Sequence, residues 1–176
     1  RDFAVDTDIS IYRKIMDVNL FGPIALTKLL LPIMIAQGSG RIVGVSSLAG
    51  KVGVPLRTAY CPAKHAVFGF FDALRSEVAY HGVKVQVIVP GVVRTGAAAN
   101  ALTGSGEPIG AENGVMEGGL SVAEAIDLIM AGLFQGTDEI VAAVAAETQM
   151  LNMKREDPVA VFRALENSAK QELYNS

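Results

Sequence analysis

Apolar positions along the chain follow two different periods, and the periods alternate. From Ile11 to about Ala36 they recur at helical spacing, at Ile15, Val18, Phe21, Ile24, Ala25 and Leu29, until Gln37-Gly38-Ser39-Gly40 ends the run. Asp8 or Ser10 stands where an N-cap is needed. A second helical block runs from Thr58 to His81, with Pro62 tolerable in its first turn and Gly82 as its stop. Ser121 to Phe134 predicts a third helix, opened by a capping box of Ser121 and Glu124. Asp157-Pro158 starts a last one, with Val159, Phe162, Leu165 and Ala169 along one side. Between the helices lie short β-branched runs that read as strands: Arg41 to Val45, Val83 to Val89 closed by Pro90-Gly91, and Glu139 to Ala143. Leu48 to Arg57 reads as loop, and no element is read between Ala143 and Asp157.

Strands alternating with helices imply an α/β fold with a parallel sheet. The 176 residues show no repeat and no linker, so they form a single domain. Open sheets of this kind bind ligands beyond the carboxyl ends of their strands, where Ser47 and Pro90-Gly91 fall.

Composition narrows the options. Apolar residues make up 51% of the chain and mean hydropathy is +0.37, which is high for a soluble domain. A sheet covered on both faces and an exposed subunit interface would together account for that. The net charge is −3 with no basic stripe, which argues against nucleic acid as a partner. No uncharged apolar run reaches the roughly 18 to 20 residues of a membrane span. Leu20 to Ala36, broken by Lys28 and Pro32, reads instead as a buried helix. One cysteine excludes an internal disulfide and suits a reducing, cytoplasmic setting. His65 and His81 lack partners at ligand spacing, so no metal site is expected.

The candidate chemistry lies in Tyr60-Cys61-Pro62-Ala63-Lys64. On a helix the four-residue spacing puts phenol and ammonium on one face, a turn apart. An ammonium held there favours the phenolate and is expected to draw the tyrosine pKa from about 10 toward neutrality. Such a tyrosine can exchange a proton with a substrate oxygen, as any enzyme interconverting alcohols and carbonyls requires. Ser47, thirteen positions before Tyr60, can donate to the same oxygen and hold it.

Four stretches together resemble the short-chain dehydrogenase/reductase family: Met16 to Gly22, Arg41 to Gly50, Tyr60 to Lys64, and Val89-Pro90-Gly91-Val92-Val93-Arg94-Thr95. They fall in family order between about Ile11 and Val141, and are most similar to the subgroup around eleven-beta-hydroxysteroid dehydrogenase. The resemblance implies the last three strands, with their helices, of a Rossmann-like doubly wound parallel sheet. It also implies a C-terminal portion of a longer enzyme, because the glycine-rich pyrophosphate turn of the family is absent from these residues. Gly104-Ser105-Gly106-Glu107-Pro108-Ile109-Gly110 does not replace it, since no strand precedes it and proline stands where a helix would begin.

The same resemblance assigns roles. Tyr60 is the proton donor and acceptor, Ser47 holds the substrate oxygen, and Lys64 binds the nicotinamide ribose. Asn19 holds a water that relays protons between lysine and solvent. Pro90, Gly91, Val93 and Thr95 face the cofactor, NADP or NAD, with backbone groups near Val93 gripping its carboxamide. A small hydrophobic alcohol or ketone is the expected substrate, and Gly96 to Gly119 is the expected substrate lid. By the same resemblance, the long helices beginning near Ile11 and Thr58 pack against a partner subunit, which implies a homodimer or homotetramer. Two alternatives stay open on sequence grounds: an epimerase or dehydratase of the same scaffold, and a non-catalytic fragment or interaction module.

Overall fold

β-Branched residues build the centre of the molecule. In a computed structural model, which describes residues 1–110 and 118–174, three parallel strands stand in the order β1 (Gly40–Val45), β2 (Val83–Pro90) and β3 (Glu139–Ala142). Ile42 pairs with Val85 and Gly44 with Val87 across the first ladder, and Val89 pairs with Val141 across the second. β1 ends at Val45 and β2 at Pro90, so Ser46, Ser47 and Gly91 emerge on one rim.

Among the described residues the α-helices are α1 (Ile9–Met16), α2 (Gly22–Gln37), α3 (Tyr60–Val78), α4 (Val122–Gln135), α5 (Ala145–Glu156) and α6 (Pro158–Tyr174). Val83, Val85, Val87 and Val89 project to one face of the sheet, against Val67, Phe68, Phe71, Leu74 and Val78 of α3. Each such side chain contributes roughly 1.5–3 kcal/mol when fully buried, which makes this face the main support of the strand ends. The other face carries α4, where Arg41 donates to Leu133 O at 3.0 Å. Gln86, 1% exposed, donates to Thr137 O at 2.7 Å. Helices therefore cover both faces of a parallel sheet, as the sequence pattern implied. A second small core joins Val52, Leu151 and Val161.

The caps follow local chemistry. Asp8 accepts from Ser10 N at 2.7 Å at the head of α1, and the Ser121–Glu124 capping box forms at α4. Asp157 caps α6 through Ala160 N at 3.0 Å.

Three expectations are corrected. The first long helix is not uninterrupted, because a π turn over Asp17–Phe21 separates α1 from α2. Nor is it buried: Val18, Phe21, Leu26, Leu29 and Ile33 are all exposed, with Leu29 at 73%. Apolar residues occupy more than one stripe, and only the stripe of Met16, Leu20, Ile24, Leu31, Met34 and Ile35 reaches the core. The whole run Ile9–Gln37 is long and apolar enough to cross a bilayer, although that stripe packs on the strands. Second, α5 occupies a stretch in which the pattern showed no element. Its N-cap is Val144, which offers no side-chain oxygen, so the usual sequence sign of a helix start is missing. Third, α3 begins at Tyr60 and not Thr58, and its last turn, Ala79–His81, is a 3-10 helix before Gly82.

The loop expected to form a lid is described only over 96–110 and 118–119; its middle lies outside the described residues. The described part is tied to the start of the chain: Gly104 N donates to Asp2 Oδ2 at 3.1 Å and Asp8 N donates to Gly104 O at 3.0 Å.

One glycine is fixed by a close approach. A Cβ on Gly50 would lie 2.5 Å from Ser46 Oγ and 2.6 Å from the Lys64 carbonyl oxygen. Gly50→Ala is therefore expected to push the 3-10 turn Leu48–Gly50 off α3, at a cost of about 1–3 kcal/mol. Thermal unfolding measures this, and an unchanged midpoint would show that the turn and helix are not in contact.

Candidate active site

Four segments bring polar side chains to the carboxyl rim of the sheet. Ser46 and Ser47 follow β1. Ser46 is 2% exposed and turns inward, donating through Oγ to Lys64 O at 2.8 Å, which fastens the loop to α3. Ser47 is the N-cap of the turn Leu48–Gly50 and accepts from Ala49 N at 3.2 Å. Its hydroxyl also donates to Pro90 O over a long 3.5 Å, linking the ends of β1 and β2. The two serines, adjacent in sequence, thus take different parts: one builds and the other faces the rim.

Tyr60 opens α3, and its phenol is near enough to the Ser47 hydroxyl for that group to favour its ionised form. Lys64 lies one turn further, 8% exposed, with Nζ 5.6 Å from the Tyr60 ring centroid. That ammonium donates to Val45 O at 3.0 Å. The three side chains singled out from sequence therefore converge. Their electrostatics differ from expectation. Burial pushes the Tyr60 phenol above its ordinary value, while the Ser47 hydroxyl and Arg57 pull it down with less effect. Burial likewise holds the Lys64 ammonium below its ordinary value.

Asn19 lies inside the π turn, and its amide donates to Ile15 O at 3.0 Å. π turns widen the helical ladder and leave backbone groups out of register. The turn packs on α3, which carries Tyr60 and Lys64.

The segment after β2 is held from several sides. Gly91 N donates to Ala142 O at 2.9 Å, Leu120 N to Val92 O at 2.9 Å, and Arg94 N to Leu120 O at 2.9 Å. Val93 forms a bridge with Leu120. Thr95 is exposed, and its hydroxyl accepts from Ala97 N at 3.2 Å. One contributor was not read from sequence: the Glu147 carboxylate of α5 accepts from Val92 N at 2.8 Å.

This donor set suits a ribose and a carboxamide. An ammonium has three donors, and among the described residues Lys64 commits one of them, to Val45 O. The rest can serve vicinal hydroxyls at the strand ends, while the backbone around Val93 offers an amide-sized pair of donor and acceptor. Among the described residues no group of three His, Cys, Asp or Glu side chains could hold a metal ion. His65 Nδ1 is engaged with Cys61 O at 2.8 Å.

Comparisons with known proteins agree on one family. The model of that family, described as short chain dehydrogenase, matches residues 2–105. The "Dehydrogenase/reductase SDR family member 7B" of Danio rerio is 36% identical over 172 residues, covering 98% of this chain and 56% of its own length. A "Dehydrogenase/reductase SDR family protein 7-like" of Drosophila melanogaster is 41% identical over 140 residues, covering 80% of this chain and 42% of its own. The chain thus spans about half the length of the curated relatives it matches. Among solved structures, a short chain dehydrogenase from Burkholderia cenocepacia in complex with NADP superposes with a TM-score of 0.73 at 25% identity, covering 90% of this chain and 60% of that one. A short-chain dehydrogenase from Streptomyces avermitilis shares the fold with a TM-score of 0.72 at 24% identity, covering 96% of this chain and 66% of that one.

Proposed function

Because the chain belongs to the short-chain dehydrogenase family, we propose that it carries the proton-transfer half of an NAD(P)-dependent oxidoreductase. The substrate is a small hydrophobic alcohol or ketone. The carrying observation is the convergence of Ser47, Tyr60 and Lys64 at the carboxyl ends of two parallel strands. When bound, the nicotinamide supplies or accepts the hydride. Tyr60 gives its phenolic proton to the carbonyl oxygen during reduction and recovers it during oxidation. Ser47 donates to that same oxygen and orients it. Lys64 holds ribose hydroxyls, and Asn19, in its π turn, keeps a path from lysine to solvent.

The pyrophosphate-binding turn is not among these residues, so on this proposal the chain alone does not turn over. The complete enzyme joins it to such a half. NADP is the cofactor seen in the solved relative from Burkholderia cenocepacia, and the choice between NADP and NAD belongs to residues outside this chain. The finer likeness to the eleven-beta-hydroxysteroid dehydrogenase subgroup supports a hydrophobic substrate. The exposed stripe of Val18, Phe21, Leu26, Leu29 and Ile33 supports a homodimer or homotetramer. The single cysteine, 7% exposed, supports a reducing compartment such as the cytoplasm.

The test is net oxidation or reduction of free nicotinamide by the complete enzyme with a panel of apolar alcohols and ketones. Its absence across the panel would remove the proposal. The raised phenol gives a direction to the pH profile. Ketone reduction needs the protonated phenol and holds steady across neutral pH, whereas alcohol oxidation needs a proton acceptor and climbs with pH. Parallel profiles for the two directions, measured as kcat against pH, would contradict a tyrosine in that role.

A further inference from the structure

We propose that Glu147 is a positioning residue that clamps the cofactor-facing turn after β2, an inference that rests on the oxidoreductase reading above. The turn Pro90-Gly91-Val92-Val93 leaves the central strand at the rim where the nicotinamide would lie. Glu147 reaches it from a different element, the first turn of α5, on the far side of β3. One carboxylate oxygen accepts from Val92 N at 2.8 Å, and the other accepts from Val144 N at 3.1 Å. The second bond satisfies the N–H of the N-cap residue Val144 from the third residue of α5, the glutamate half of a capping box. The same carboxylate therefore ends one orphan donor at a helix start and one in the turn.

Two observations show that the fit is tight. A Cβ on Gly91 would lie 2.0 Å from Glu147 Oε2 and 2.9 Å from Ala143 Cβ, so glycine at this position is what lets the carboxylate in. The next residues of the turn are fastened from the opposite direction, through Val92 O and Arg94 N to Leu120. The backbone beside Val93 is thus held by Glu147 and by Leu120. Glu147 supplies the charge-assisted contact in that set, and such bonds are about twice as strong as neutral ones. Both carboxylate oxygens are engaged by backbone N–H groups, which makes Glu147 a part of cofactor orientation and not of proton transfer.

The experiment compares Glu147→Gln and Glu147→Ala with the parent in the complete enzyme. Glutamine keeps the shape and one acceptor oxygen, but its amide group opposes the second N–H. The expected result is a KM for nicotinamide cofactor raised about tenfold in Glu147→Ala, the scale of one lost hydrogen bond to a charged group, with a smaller rise in Glu147→Gln. Substrate KM and the pH profile of kcat stay as in the parent. Amide hydrogen exchange at Val92 reads the clamp without any catalysis, and it accelerates in both variants, more in Glu147→Ala. Unchanged Val92 exchange would overturn the clamp, and faster exchange with unchanged cofactor KM would overturn its link to the cofactor. A parent enzyme that binds no nicotinamide would sink the oxidoreductase reading, and Val92 exchange would still report on the clamp by itself.

Discussion

Tyr60→Phe in the complete enzyme lowers kcat by roughly two to four orders of magnitude, the range that a positioned proton donor contributes. The substitution removes one oxygen and keeps the ring that opens α3. Packing around that ring persists, so the thermal midpoint stays close to the parent. Ser47 loses its phenolic partner but keeps Ala49 N and Pro90 O, which preserves its place at the rim. Cofactor affinity is also preserved, since Lys64 and the turn after Pro90 are untouched. The signature is therefore a fall in kcat with little change in cofactor binding or fold. Ser47→Ala gives a smaller fall, on the order of tenfold to a thousandfold, because it removes a stabilising donor and not the proton itself. Steady-state assays of both variants decide the matter. Tyr60→Phe turnover within tenfold of the parent would remove the mechanism.

The sheet and most of its helices were readable in sequence because their signals are local. Val83 to Val89 is a dense β-branched run, and Ser121 with Glu124 announces a helix start within four residues. The convergence of Ser47 and Tyr60 was readable through their spacing, since a strand end and a helix start on one parallel unit share a rim. What failed to show in sequence depended on contacts between distant segments. Glu147 acts on Val92, 55 positions away, and its own helix lacks a side-chain N-cap. The π turn at Asp17–Phe21 inserts into a run whose apolar period continues on both sides, so nothing in the pattern marks it. The sign of the Tyr60 shift also escaped. Spacing reports that a cation is near, but it does not report how deeply the phenol is buried.

Lys64→Met separates function from stability in opposite directions. On the proposed roles turnover falls by orders of magnitude, because ribose binding and proton relay would both lose their cation. The fold, however, keeps its stability at neutral pH or gains about 1 kcal/mol, since an apolar chain of similar length replaces a buried charge. Lys64 is only 8% exposed, and its single bond among the described residues goes to a backbone carbonyl, not to a carboxylate. The Val45 carbonyl loses that donor in the variant, a cost set against the removal of the buried charge. The pH dependence gives an internal check. A lowered lysine pKa means that the unfolded chain holds this proton more tightly than the folded one. Parent stability therefore rises as pH climbs from the folded pKa toward the ordinary lysine value near 10.5. Lys64→Met lacks that rise. Tyr60 acts the other way above pH 10, where the unfolded chain gives up its phenolic proton first and stability declines. Subtracting variant from parent removes the tyrosine contribution and leaves the lysine alone. Thermal or urea unfolding between pH 7 and 10.5 measures the difference. A variant destabilised by more than about 2 kcal/mol at pH 7 would show that the ammonium–carbonyl bond outweighs the cost of burying the charge, and Lys64 would then be a structural support as much as a functional one.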